Sequence, residues 1–453
     1  MARPTYKELL AVIEKQQLMI NELCAKVSRL EEELAFIKNR KNSNNSHIPP
    51  SKDENRPKKN QSLREKTLKK QGGQPGHEGK TLELSSQVDK VVKYAPSYCS
   101  CCGNDLSGIE ETMEGRRQVI DIPPITPERI EHQVYSKTCG CGHISKGKFP
   151  SEVKATVQYG SNVEALIAYM HTRQYLPFNR MKEFFSDAMS LPISEGGIYN
   201  VLQRFAKKSL PVYQQIKERI EAASFLGTDE TGAKVNGKKH WFWTWQNDEL
   251  TFIVHSDSRG TITIENNFPN GLPNAVLQHD RWASHFQCDA MHHQLCTAHL
   301  LRDLNYIEEL HKSQWASDFK KLLLKAIGLK KELSPDQYHK VNPQRQILEK
   351  ELDGLLWECL PAGHKKAITF QKKLKKHKEF ILYFLQNPKV PPDNNGSERA
   401  IRNIKVKQKI SGQFKSLEGA DIFAIIRSVI DTTIKSGQNV LFALSLISKL
   451  DTE

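Results

Sequence analysis

Residues 225–255 read FLGTDETGAKVNGKKHWFWTWQNDELTFIVH. Phe225–Thr228 is an apolar run of strand length closed by Asp229. Lys234 and Val235 lead into Asn236-Gly237, a strong hairpin signal because both turn positions tolerate positive φ. His240-Trp241-Phe242-Trp243-Thr244-Trp245 follows, and its three tryptophans alternate onto one strand face. That face is expected to lie buried beneath helices rather than to serve as an aromatic stacking platform. Leu250–His255 completes a third strand. Beyond it, Ala275–Gln278 gives a fourth, with Asp280 just past its end.

Three strands in an antiparallel meander, then a helix and a parallel strand, predict a ribonuclease-H-like core. A third acid, Glu398, opens a helical pattern after the polar turn Asp393-Asn394-Asn395-Gly396-Ser397. Two strand ends and a helix entrance each present a carboxylate. Converging carboxylates repel one another unless cations sit between them, so Asp229, Asp280 and Glu398 predict a divalent-metal site for phosphoryl transfer. Their oxygens suit Mg²⁺ or Mn²⁺, two ions per site, with Asp229 shared. Arg399, Arg402, Lys405 and Lys407 follow Glu398 and predict a basic strip against a DNA backbone. The plainer alternative is a surface Glu–Arg pair. Cys296-x2-His299 with Arg302 follows a predicted fifth strand. Two readings stand for it: a brace or DNA contact, or a merely buried pair.

Outward from this centre the chain changes character. Residues 300–390 are helical, with lysine-rich stretches at 320–331 and 372–378, and predict an insertion over the sheet. Upstream, Asn179–Met189, the turn Ser190-Leu191-Pro192 and Ser194–Phe205 predict a helical hairpin compatible with helix-turn-helix geometry. Cys99-x2-Cys102 and Cys139-x-Cys141 frame a small β-rich module over 86–150. Two close pairs suit a structural thiolate zinc site, against the alternative of buried reduced thiols; Cys101 or His143 could replace a ligand. The second pair is one residue shorter than usual.

The N-terminus carries a heptad. Ile13, Ile20, Val27 and Leu34 form one series and Leu9, Gln16, Leu23, Leu30 and Ile37 the other, which predicts a two-stranded parallel coiled coil and a homodimer or higher even oligomer. Residues 38–80 then hold 12 basic and 4 acidic residues, so +8 of the net +14 lies in a Pro-, Gly- and Asn-rich linker suited to a polyanion partner. The other reading is a solvated spacer. No apolar run approaches the roughly 18 residues of a membrane span. A cytoplasmic location with reduced thiols is expected, and no membrane partner.

With these features in place the chain resembles transposases of the bacterial insertion-sequence 66 family, of the DDE class. The resemblance rests on Asn-Ser-x-x-Ser…Pro-Pro-Ser within 42–51, Gly-Gly-Gln-Pro-Gly-His at 72–77, Asp229-Glu230-Thr231 with Trp241 and Trp243, and His279-Asp280-x-Trp282. It rests also on Cys296-x2-His299-x2-Arg302, Asp393-x-Asn395-x2-Glu398-Arg399-x2-Arg402, and Lys409-Ile410-Ser411-Gly412. It implies an enzyme that binds the inverted-repeat ends of its element, cleaves them and joins the freed 3′-hydroxyls to target DNA, with small accessory proteins as further partners. Two alternatives are a catalytically inactive zinc and helix-turn-helix DNA-binding regulator and a hydrolytic nuclease of the same fold. The expected organisation is a coiled-coil helix (1–40), basic linker (41–85), zinc module (86–155), helix-turn-helix-like region (156–218), catalytic core (219–304 and 391–435) split by a helical insertion (305–390), and a C-terminal helix (436–453).

Overall fold

The computed structural model describes residues 6–42, 45, 46, 82–339 and 341–450. The Gly-rich motif at 72–77 and most of the basic linker lie outside the described residues. Helix α1 (Tyr6–Lys38) is continuous, as its heptads predict. Its apolar positions, Ile13, Ile20, Leu23, Val27, Leu30, Leu34 and Ile37, are all exposed.

The cysteine region is sparser than the expected β-rich module. Its regular structure is an antiparallel pair of three-residue strands, β1 (Ser136–Thr138) and β2 (Ile144–Lys146), with every residue exposed. The described residues of 82–160 bury no apolar side chain, so hydrophobic burial cannot supply this module's folding energy.

From α2 (Ser161–Ala168) onward the chain packs. Helix α3 (Phe178–Met189) stops at Ser190, whose left-handed backbone (φ 49°) ends it, and Ser194 caps α4 by accepting from the Gly197 amide at 3.0 Å. Helix α4 spans Glu195–Glu221, well past the expected end at Phe205, because Ile216 and Ile220 extend the buried stripe of Ile198, Val201, Leu202 and Phe205. These helices do not form a separate core: they share one with the sheet's Leu226, Trp243, Trp245 and Phe252.

The sheet has five strands in the order β5-β4-β3-β6-β7. Strand β3 (Phe225–Val235) pairs antiparallel with β4 (Lys238–Gln246), and β4 with β5 (Thr251–Ser256). Helix α5 (Ile262–Asn267) leads to β6 (Leu272–His279), parallel to β3, and β7 (Ala290–Leu295) runs parallel to β6. The Asn236-Gly237 turn takes φ of 45° and 78°, as a two-residue hairpin between twisted strands requires. Trp243 and Trp245 are fully buried under helices and stack at 5.9 Å, as expected of that face; Trp241 is partly buried.

The opposite sheet face, through Phe225, Val276 and Leu295, carries the helical block α6 (Thr297–His311), α7 (Gln314–Glu332), α8 (Pro343–Trp357) and α9 (Lys365–Lys376). The chain returns through α10 (Asn395–Ser411) and α11 (Leu417–Lys435), which cover Ala233, Val235, Phe242 and Ile253. Helix α12 (Val440–Ser448) sets Leu444 and Ile447 into the core shared by α2 and α4.

Candidate active site

Strand β3 does not stop at Asp229, as the sequence suggested, but continues six residues beyond it. What ends there is its pairing with β6. The parallel register runs Phe225↔Val276, Leu226↔Leu277 and Gly227↔Gln278. Asp229 and Asp280 each lie two residues past the last pair, so two acids emerge side by side where the strands diverge. Burial pushes the Asp229 carboxyl well above the ordinary carboxylate range, and the negative charges of Asp280, Glu230 and Glu398 push it further. Asp280 and Glu398 therefore both lie within electrostatic reach of Asp229. Asp280 accepts from the Trp282 amide at 3.1 Å.

Glu398 sits in the first turn of α10, and a polar lock fixes that turn to β3. Asn394 donates to the Thr228 carbonyl (2.7 Å) and accepts from Ser397 Oγ (2.7 Å), which accepts from Gln246 Nε2 (3.3 Å). Asp393 accepts from the Asn395 amide at 3.1 Å. The approach is so close that a Cβ on Gly227 would lie 2.6 Å from Asn394 Oδ1 and 2.7 Å from Ser397 Oγ. Sequence reasoning passed over this lock. Its signal was a glycine inside a strand, which marks close backbone approach.

Helix α6 ties the acids from the other side. Arg302 Nη2 donates to Glu398 Oε1 at 3.0 Å, and His299 Nε2 lies 3.9 Å from the same oxygen. One residue on, Asp303 pairs with Arg281, the neighbour of Asp280. The Cys296 sulfur accepts from the Asn394 amide at 3.2 Å, and burial pushes its thiol up to about 11, which suits a packed neutral thiol and not a thiolate ligand. Thr297 donates from its amide (3.0 Å) and its hydroxyl (2.7 Å) to the Pro392 carbonyl.

The basic run after Glu398 divides. Arg399 and Arg402 are exposed, and Arg402 Nη2 lies 3.7 Å from Glu398 Oε2. Lys405 donates to the Gly232 carbonyl. Lys407 corrects the expectation of a continuous strip: it is buried, and burial pushes its ammonium down to about 8.

A further polar group was not found from the sequence. Glu230, buried beside Asp229, accepts from Arg259 (Nε 2.8 Å, Nη2 2.6 Å) and faces His285 Nε2 at 3.0 Å. The Arg259 guanidinium stacks on Trp282 at 3.7 Å.

In the cysteine module each close pair is a tight turn. The first turn closes with the Gly103 amide on the Cys99 carbonyl, and the second with the Gly142 amide on that of Cys139 (2.9 and 2.8 Å). Backbone N–H groups of Cys102 and Cys101 draw the Cys99 thiol below its usual range, and that of Cys141 does so for Cys139. Two cysteine pairs in such turns are a donor set of the kind that zinc takes. Among the described residues, Cys99 and Cys102 form one pair and Cys139 and Cys141 another; the one cluster of three or more tightly gathered donors is Glu230, Asp280 and His285.

Comparison with known families gives three matches. A model described as the transposase IS66 family matches residues 156–422. One described as the zinc-finger binding domain of transposase IS66 matches residues 96–142, which hold all four of those cysteines. A family of unknown function (DUF6444) matches residues 1–83. No curated protein matches the chain.

Proposed function

This chain belongs to the IS66 transposase family, and from that premise we propose that it is a DDE transposase acting on the inverted-repeat ends of its own element through a ribonuclease-H-like core. The observation that supports the reading is the register Gly227↔Gln278, which ends two residues short of both Asp229 and Asp280, with Asn394 tying the turn before Glu398 to Thr228. A half-buried carboxylate pushed above its ordinary range by desolvation and then by three neighbouring anions is a site short of positive charge, so the donor set fits Mg²⁺ or Mn²⁺ held by Asp229, Asp280 and Glu398. When bound, a pair of such ions activates an attacking oxygen and stabilises a leaving one.

The chain's own residues do the rest. Asp229 and Asp280 fix one side of the pocket through the sheet; Glu398 is oriented by Arg302. Arg399 and Arg402, free of the packing that takes Lys405 and Lys407, hold phosphates along the exposed side of α10. Hydrolysis frees a 3′-hydroxyl by attack of water on the phosphodiester; the 3′-hydroxyl then attacks a target phosphodiester in line, displacing its 3′-oxygen. Both steps need the same geometry, so one pocket serves both.

The four cysteines, Cys99, Cys102, Cys139 and Cys141, are the proposed structural zinc ligands. Zinc would supply folding energy that the module's exposed apolar residues do not. The half-exposed stripe of α1 is the proposed dimer seam. Lys26 and Glu33 flank it on one side and Glu31 and Lys38 on the other, so a parallel partner in register meets opposite charges. A dimer holds two element ends in one complex, which a simple nuclease has no need to do. The test is purified protein with Mg²⁺ and DNA carrying its element's boundaries. Nicks at the boundary support the reading; an intact boundary, with the protein bound to it, favours the inactive DNA-binding regulator.

A further inference from the structure

Glu230, Asp280 and His285 each offer a ligand atom, and these atoms lie within 4.8 Å of one another. Glu230 and His285 are buried, the imidazole completely. The Glu230 carboxylate is held in two different ways. Arg259 takes Oε1 with two N–H groups, fixing the plane of the carboxylate. Oε2 is turned instead to His285 Nε2 at 3.0 Å. That separation is also the edge length between two adjacent ligands of an ion about 2.1 Å from each, the distance of a first-row cation from nitrogen or oxygen. Arg259 then stands as the outer partner that orients a ligating carboxylate. The His285 ring is fixed by packing, 5.4 Å from Trp243 and 5.1 Å from His279, centroid to centroid. Asp280 completes the group from the end of β6, held by the Trp282 amide.

We propose that Glu230, Asp280 and His285 form a second cation site, with one nitrogen and two carboxylate ligands. An imidazole among carboxylates selects for first-row transition ions such as Mn²⁺ or Co²⁺ over Mg²⁺, whose preference is for oxygen alone. The proposal rests on the proposed function only in sharing Asp280; Glu230 and His285 belong to neither the acid triad nor its brace.

The test uses the full-length protein with Mn²⁺ as probe, read by electron-spin-echo modulation for a directly bound ¹⁴N and by metal-dependent thermal shift. The expected result is a nitrogen coupling in the wild type that disappears in His285→Gln, with Mn²⁺ affinity falling tenfold or more in Glu230→Gln. Melting without metal confirms that each variant folds. Asp229→Asn should keep the nitrogen coupling. Mn²⁺ bound without nitrogen coupling, and lost in Asp229→Asn, would overturn this site and leave the acid triad standing. Nitrogen coupling that survives His285→Gln would also overturn it, as would no Mn²⁺ binding at all, which would count against the triad too.

Discussion

Arg302 on α6 donates to Glu398 on α10 at 3.0 Å across 96 positions of chain. The contact joins α6, which leads from the sheet into the helical block, to the third acid, so α6 is part of the site's scaffold. Arg302→Ala leaves Glu398 with the more distant His299 and the solvent-exposed Arg402. Boundary nicking is expected to fall at least tenfold. Thermal stability should change by less than about 1 kcal/mol, since both partners are partly exposed. An unchanged nicking rate would remove Arg302 from the site.

Asp229 is held protonated more readily in the fold than in the unfolded chain. Its contribution to stability is therefore present at low pH and is lost as pH rises from the ordinary carboxylate range toward the raised folded value. Asp229→Asn removes that loss. In chelator at neutral pH the variant should melt higher than wild type, while the Mg²⁺-induced thermal shift and nicking both disappear. A variant that melts lower in chelator contradicts the electrostatic account.

Gly227→Ala places a methyl within 2.6–2.8 Å of Asn394, Ser397 and Gln246. Overpacking of this kind costs about 1–3 kcal/mol. The strain falls on the first turn of α10, so activity should drop by more than stability alone explains. Gly237→Ala is the control: nothing lies near its Cβ, and its cost comes from a φ of 78° far from the acids.

What was legible in the sequence follows from what local chemistry encodes. Asn236-Gly237 fixed the hairpin because few other dipeptides take two positive φ values. The alternating tryptophans revealed the buried face. The three acids stood out because each closes or opens an element. Lys407 was misjudged because a run of basic residues carries no sign of which helix face is covered; α10 turns it inward beside His171. The end of α4 was placed early because the stripe resumes after a polar interval. Glu230 was invisible as a partner of Arg259 and His285, since such pairing depends on how loops at 257–260 and 280–287 fold together over the sheet.

Beneath the second acid lies a histidine group whose burial sets an acid limit on the fold. His293 is pushed down to about 4 by burial first and by His292, His285 and His377 next, and its Nδ1 faces His279 Nε2 at 3.1 Å. The unfolded chain protonates such a histidine near 6.5. Stability from keeping it neutral is complete above that value and is lost as pH falls toward 4, by about 3 kcal/mol. The melting temperature should decline between pH 6.5 and 4, and His293→Asn should flatten that decline. An equally steep profile in the variant would assign acid lability elsewhere.

Helix α1 offers the clearest separation of assembly from chemistry. Ile20 lies mid-seam, half exposed in the single chain, and far in sequence from every acid of the site. Ile20→Asp puts a charge into the seam, and two such charges face each other in a parallel dimer. Sedimentation should then report a shift from dimer to monomer at micromolar protein. Nicking of one boundary on a short duplex should persist, because the pocket is built within one chain. Products that join two ends should fall together with the dimer. If the mass in solution is unchanged, the seam is not the interface; if joint products survive in a monomer, pairing of ends does not need α1.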